Sequence, residues 1–146
     1  MQPNQDSPKN SFYFEIGTLE GRLKIDLRRV MPVAQVNTYT RHFDGRSPQL
    51  YKLFGSDGTA PNFDPAPKIG HDPARRGWTL IANVDSREET DPEGEYFGVS
   101  ITGDGTGPNG ANAGRYRYLL FEMYPTQTLE AWSHSFYGEV DVVEGK

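Results

Sequence analysis

The stretch Gly21-Arg22-Leu23-Lys24-Ile25-Asp26-Leu27 decides the fold class, because apolar and charged side chains alternate along it without a break. In an extended chain the leucines and the isoleucine point to one face, and the charged side chains point to the other. This pattern is typical of a β-strand that has one face buried and one face in water. We therefore expect a core built from sheets.

Seven further stretches are predicted to be strands. In chain order the eight predicted strands are residues 12–16, 21–27, 33–41, 49–55, 78–85, 96–101, 115–123 and 136–144. The seventh carries apolar side chains on both faces, so we expect it to be covered on both sides. The cover on one of these faces is either a sheet or a loop. Only residues 86–95 and 125–134 could be helical, and neither supports more than about one turn. The predicted fold is all-β, an eight-stranded antiparallel sandwich with long loops.

Two connections are unusually long for a compact domain. Residues 57–77 are rich in Pro and Gly, and residues 102–114 contain five Gly. Loops of this length are uncommon and are often functional or disordered. We expect both to lie on the surface of the sandwich, since strands continue on either side of them.

Composition excludes several classes of protein. The 146 residues suffice for one domain, and the formal net charge of −5 argues against nucleic acid as a partner. Cysteine is absent, which excludes disulfides and cysteine-based zinc sites. No apolar run approaches the ~20 residues of a membrane span. The polar residues 1–10 are interpreted as a disordered leader or the edge of an excised piece, and residues 11–146 as one domain.

Four pieces of the chain, in order, resemble discoidin domains, the coagulation factor five/eight C-type family with a galactose-binding-like jelly roll. They are Gly21-Arg22-Leu23-Lys24-Ile25-Asp26-Leu27, Val33-Ala34-Gln35-Val36-Asn37-Thr38-Tyr39, Gln49-Leu50-Tyr51-Lys52-Leu53-Phe54-Gly55-Ser56-Asp57-Gly58 followed by Trp78, and Arg115-Tyr116-Arg117-Tyr118-Leu119-Leu120 with the closing Glu139-Val140-Asp141-Val142. The chain departs from the family in the spacing between Gly58 and Trp78, where about twenty residues replace very few. The resemblance implies a binding module without catalytic activity. The stretches Arg115-Tyr116-Arg117-Tyr118-Leu119-Leu120-Phe121 and Phe136-Tyr137-Gly138-Glu139-Val140-Asp141 are also similar to uncharacterised domains of large, secreted bacterial multidomain proteins, which implies a module cut from a longer chain that is secreted or held at the cell surface.

The same resemblance implies a ligand site in the loop of residues 41–48. If successive strands reverse direction, residues 86–95 and 124–135 form loops at the same end. The residues expected to bind a ligand are Arg41, His42, Arg46, Tyr124, Trp132 and His134. Guanidinium groups and an aromatic platform suit a sugar or an anionic group, although Arg41 could instead pair with Asp44 and Trp132 could plug the end of the sandwich. The expected partner is a carbohydrate or a neighbouring protein domain, and a purely structural domain is a further alternative.

The ending Glu139-Val140-Asp141-Val142-Val143-Glu144 is similar to the catalytic strand of family-sixteen glycoside hydrolases, the laminarinase and lichenase group. On that alternative Glu139 is the nucleophile, Asp141 its electrostatic partner and Glu144 the acid/base, and a β-bulge at Val142-Val143 is needed to bring Glu144 to the same side. The simpler interpretation is an amphipathic closing strand, with Val140 and Val142 inward and Glu139, Asp141 and Val143 outward. We favour the second, and expect no enzyme activity.

No cofactor is expected. The three histidines are scattered, and no pair has the spacing of metal ligands. Residues 104–109 have the composition of a calcium loop, which makes Asp104 and Asn109 weak candidate ligands. They lack the full EF-hand pattern, so a plain flexible loop is the favoured interpretation.

Overall fold

The computed structural model describes residue 12 and residues 17–41, 48–88, 96–103, 112–126 and 137–146. Within them the chain forms six strands: β1 (Gly21–Arg41), β2 (Leu50–Ser56), β3 (Thr79–Asp85), β4 (Tyr96–Thr102), β5 (Gly114–Met123) and β6 (Tyr137–Glu144). The helical content of this part is one turn of 3-10 helix at Pro73–Arg76. The predicted all-β class is confirmed. No helix in the described ranges is long and apolar enough to cross a membrane.

β1 differs from prediction, because the second and third predicted strands form one strand of 21 residues. Its register against β5 shifts between Asp26 and Met31, and Arg28 adopts a left-handed φ of 71° within the shift. The Asp26 carboxylate accepts the Arg28 N–H at 2.8 Å. This side chain satisfies an amide that the bulge withdraws from the ladder, so the strand continues through the irregularity instead of ending there.

The first predicted strand is represented by Phe12, which forms an isolated antiparallel bridge with Tyr137. The other residues predicted for that strand lie outside the described part of the chain. The described strands therefore number six, and the eight-stranded jelly roll stays a prediction.

The six strands belong to one antiparallel sheet that curls along β1. The N-terminal half of β1 pairs with β5, which pairs with β2, and β2 pairs with β3. The C-terminal half of β1 pairs with both β4 and β6, so that Asn37 lies opposite Ser100 on one side and Asp141 on the other. These two halves face each other, since Thr38 of the second half contacts the hydroxyl of Tyr51 in β2 at 2.9 Å.

The main core fills the space between the two halves. Its buried members are Val33, Val36, Tyr51, Leu53, Ile101, Leu119, Phe121, Met123 and Tyr137. The rings of Tyr51 and Phe121 meet edge to face with centroids 5.5 Å apart, and those of Tyr51 and Tyr137 at 6.3 Å. Leu23, Ile25 and Leu27, the apolar face predicted from the alternation, pack against this core.

A second, smaller cluster lies on the opposite face of β2 and β5. Phe54, Trp78 and Leu120 are buried there, with Phe63 and Tyr118 packed against them. Phe63 belongs to the long connection of residues 57–77, so that connection covers the outer face of β5. The expectation that β5 is covered on both faces is confirmed, and the second cover is a loop.

Candidate ligand-binding end of the sheet

All six described strands contribute an end to one side of the curled sheet, which we call the binding end. Arg41 at the end of β1 lies opposite Tyr96 at the start of β4, and Thr40 lies opposite Tyr137 at the start of β6. Leu50 at the start of β2 pairs with Asp85 at the end of β3. Tyr51 pairs with Met123 at the end of β5. The connections 42–49, 86–95 and 124–136 therefore leave and re-enter the sheet at this end, as the reversal of successive strands predicts.

Gln49 joins the two halves of the sheet directly beneath these connections. Its side chain is fully buried, and its amide nitrogen donates to the carbonyl oxygens of Thr38 at 3.2 Å and Phe97 at 3.3 Å. The Thr38 hydroxyl donates to the Gln49 Oε1 at 2.5 Å. The Gln49 backbone exchanges bonds with Ser86, where the 86–95 connection begins. Gln49 thus fixes the geometry of the binding end from inside.

The structure describes two of the six residues expected to bind a ligand. Arg41 is the last residue of β1, opposite Tyr96, and Tyr124 directly follows β5. The backbone N–H of Tyr124 donates to the carbonyl of Leu50 at 2.9 Å, which places Tyr124 at the binding end beside the start of β2. His42, Arg46, Trp132 and His134 lie outside the described residues, as does Asp44.

The Tyr124 side chain belongs to a network of charges on the outer face of the sheet. Its hydroxyl donates to the buried carboxylate of Glu122, and the Lys52 ammonium lies 5.8 Å from its ring centroid. Burial first, and then the hydrogen bond to Glu122, raises the pKa of Tyr124 well above its usual range. The Tyr124 hydroxyl is therefore engaged with Glu122.

Glu122 also binds Arg22, a pair that the sequence analysis missed. Arg22 donates to Glu122 at 2.7 Å and to Glu20 at 2.8 Å, and its side chain is only 9% exposed. Lys52 lies 3.5 Å from the same Glu122 carboxylate. A signal was present in the sequence, because Glu122 stands alone in the apolar run Leu119-Leu120-Phe121-Glu122-Met123. A lone carboxylate in a doubly covered strand needs a cation, and the partner is 100 residues away along the chain.

The acidic ending forms β6 as an amphipathic strand. Val140 and Val142 pack against the main core, while Val143 is 43% exposed on the other face. The register shift near the end of this pairing omits Ala34 of β1, so the bulge lies in β1 and not at Val142-Val143. The predicted inward face of Val140 and Val142 and the outward position of Val143 are confirmed, and the register contradicts the bulge at Val142-Val143 that the glycosidase alternative required.

Glu144 is occupied by an ion pair. Its carboxylate receives two bonds from Arg29, at 2.6 and 2.8 Å, on the surface. Glu139 lies opposite Tyr39 and Asp141 opposite Asn37, both further along β1 towards the binding end. The three acidic residues are thus spread along β6, and Glu144 already has a cation.

No metal centre occurs in the part of the chain that the structure describes, where no group of three or more His, Asp or Glu side chains could hold an ion. The weak calcium candidates Asp104 and Asn109 lie outside the described residues. The calcium site therefore stays a weak prediction.

Comparisons with known proteins add little. No family model and no curated protein matches the sequence. Among solved structures, a chain described as CpGH89CBM32-6 from Clostridium perfringens is similar over 88% of this chain and 72% of its own length, with 16% sequence identity and a TM-score of 0.47. At that level of similarity the neighbour carries no functional argument for this chain.

Proposed function

We propose that this protein is a non-catalytic carbohydrate-binding module that holds its ligand at the binding end. The observation that carries the proposal is the convergence of six strand ends there, with Gln49 bracing them. Loops presented by a rigid sheet are where binding residues concentrate. Arg41 ends β1 there, and the connections that leave this end carry His42, Arg46, Trp132 and His134, a chemistry that suits the polar rim and apolar face of a sugar.

The residues proposed to bind the sugar are Arg41, His42, Arg46, Tyr124, Trp132 and His134. Tyr124 contributes its ring, since its hydroxyl already donates to Glu122. The arginines donate to ring hydroxyls or to an anionic substituent, and Trp132 offers a flat apolar surface. The resemblance to discoidin domains supports this arrangement, and with it an eight-stranded jelly roll that occupies residues 11–146. We also propose that the module acts outside the cell as part of a longer bacterial protein, beside neighbouring domains.

The arrangement of the acidic ending supports a role without catalysis. A retaining glycosidase needs two carboxyl groups about 5–5.5 Å apart across the scissile bond. Here Val140 and Val142 occupy the inner face of β6, and Glu144 is paired with Arg29. Glu139 and Asp141 therefore remain without Glu144 as the second carboxyl group that the glycosidase alternative requires.

A panel of polysaccharides tests the proposal with two readouts, binding to immobilised glycan and release of reducing ends. We expect binding without release. A triple variant with Arg41→Ala, Arg46→Ala and Trp132→Ala is expected to lose about tenfold or more in affinity. Arg115→Ala is the control, because Arg115 is exposed on β5 near Pro32, at the far end of that strand.

Two outcomes would overturn the proposal. Release of reducing ends that disappears in Glu139→Gln would make the protein a glycosidase. Binding that survives the triple variant unchanged would place the ligand elsewhere on the molecule. If the wild-type chain binds no glycan of the panel, the structural alternative stands in place of the module.

A further inference from the structure

The connection of residues 57–77, here called the cap loop, is an ordered part of the fold. Phe63 stacks on Tyr118 with ring centroids 5.3 Å apart, and the indole N–H of Trp78 donates to the carbonyl of Asp64 at 2.8 Å. The hydroxyl of Ser56 donates to the carbonyl of Gly77 at 2.8 Å, which closes the base of the loop. This connection is the main departure from the spacing of discoidin domains, and Phe63, Asp64 and Gly77 hold it to the sheet and to Trp78.

Two cations of β1 tie the far part of the cap loop to the sheet. Arg22 donates to the carbonyl oxygens of Pro67 at 2.9 Å and His71 at 2.8 Å. Lys24 donates to the carbonyl of Pro65 at 2.9 Å. Because Arg22 is itself held by Glu20 and Glu122, the loop backbone around residue 71 has a fixed position.

An open depression of about 450 Å³ lies on the outer side of the cap loop, lined by Gly70, His71, Asp72, Arg75 and Arg76. The backbone beneath the two arginines is fixed, since Asn62 donates to the carbonyl of Arg75 and the Asp64 N–H to that of Arg76, both at 3.0 Å. Their side chains face water. The loop thus presents two guanidinium groups from a rigid support.

The charges of the depression favour an anion. Arg75 meets one carboxylate, that of Asp72, at 3.8 Å, and its side chain is 87% exposed. No carboxylate in the described ranges forms an ion pair with Arg76. Two of the three charged side chains that line the depression are cationic, although the whole chain carries −5. A guanidinium fork matches the geometry of planar or tetrahedral oxyanions, and both arginines line the same depression.

We propose that this depression is a second binding site, which takes a carboxylate or sulfate group of an acidic polysaccharide. Arg75 and Arg76 bind the oxyanion, and Asp72 limits the affinity by like-charge repulsion. Arg22 is a positioning residue, which holds the loop backbone under the site. The inference rests on the proposed function only in assuming that the oxyanion belongs to a carbohydrate. The site itself is remote in sequence from the loops of the binding end.

Binding of the whole chain to dextran sulfate, polygalacturonate and neutral dextran tests the site, measured by affinity electrophoresis at low and at physiological salt. We expect Arg75→Ala with Arg76→Ala to weaken binding to the acidic polymers about tenfold. The matched control carries Arg29→Ala and Arg115→Ala, which remove the same charge from exposed positions at the end of the β1–β5 pairing opposite to the binding end. Asp72→Asn should strengthen binding about threefold, since Asn still caps the 3-10 turn as Asp72 does through the N–H of Ala74.

The polymers distinguish the source of the charge. Binding to dextran sulfate alone identifies sulfate, binding to polygalacturonate alone identifies carboxylate, and binding to both identifies an oxyanion site of broad acceptance. The inference is overturned if neither acidic polymer binds, or if the control variant loses as much affinity as the Arg75/Arg76 variant. If the wild type binds no neutral glycan, and the Arg41→Ala, Arg46→Ala, Trp132→Ala variant binds acidic polymer as tightly as the wild type, the proposed binding end is overturned and this site stands.

Discussion

The pair formed by Arg22 and Glu122 does more than any other polar contact to connect distant parts of the described chain. It joins β1 to β5, supports the hydroxyl of Tyr124 near the binding end, and holds the cap loop through the carbonyls of Pro67 and His71. Both side chains are less than a tenth exposed. A buried ion pair adds little relative to an apolar pair, but losing one partner leaves an uncompensated charge.

We predict that Glu122→Ala lowers the free energy of unfolding by about 3 kcal/mol, because Arg22 keeps only Glu20 as its carboxylate partner. Urea denaturation followed by tryptophan fluorescence measures the change, and Trp78 in the second cluster is a suitable reporter. Glu144→Ala is the control, since its pair with Arg29 is exposed and should contribute less than about 1 kcal/mol. Equal losses in the two variants would contradict the importance given to Glu122.

At the scale of elements, alternation along the sequence located the strands well and their boundaries less well. The predicted strands 21–27 and 33–41 are one strand, because Asp26 and a left-handed Arg28 carry the chain through a bulge. A positive φ is uncommon for arginine, so the sequence pattern gave no reason to expect it at Arg28. The cap loop was expected on the surface, but its anchoring by Arg22, Lys24 and Trp78 depends on contacts between elements.

Two glycines of the cap loop provide a matched prediction. Gly70 and Gly77 both have positive φ, at 82° and 79°, so either alanine variant incurs backbone strain of about 1 kcal/mol. A Cβ at Gly70 meets nothing within 4 Å, whereas a Cβ at Gly77 lies 2.8 Å from the backbone Cα of Phe63. We expect Gly70→Ala to cost about 1 kcal/mol and Gly77→Ala about 3 kcal/mol in unfolding free energy, measured in urea. Equal costs would contradict the prediction, because they would mean that the backbone at Phe63 moves away from a Cβ at Gly77 without loss of stability.

At the scale of the whole molecule, the curled sheet buries tyrosine hydroxyls between its two halves. Burial raises the pKa of Tyr51 to about 12, and it raises the pKa of Tyr137 as well. In the unfolded chain both groups titrate near pH 10. Below about pH 10 they are neutral in both states and do not affect stability. Above it the unfolded chain loses protons that the folded chain retains, so stability falls as the pH rises towards the folded pKa values.

We therefore predict that the free energy of unfolding falls by about 2 to 3 kcal/mol between pH 9 and pH 11 through these two tyrosines. Urea titrations at a series of pH values measure the change. Tyr51→Phe should remove about half of this pH dependence, and Thr38 keeps Gln49 as a hydrogen-bond partner in that variant. A pH dependence identical in the wild type and in Tyr51→Phe would show that the Tyr51 hydroxyl is not buried between the halves.

The sequence by itself determined the all-β class, the apolar face of Leu23, Ile25 and Leu27, and the amphipathic character of β6. Each follows from a period of two residues, which is a local property of an extended chain. Only the tertiary structure decided that Arg22 and Glu122 are buried together, that the cap loop covers β5, and that Gln49 braces the binding end. These features depend on pairs of residues that are far apart in sequence. A charged side chain on the outer face of a strand becomes buried only when another element comes to lie over it.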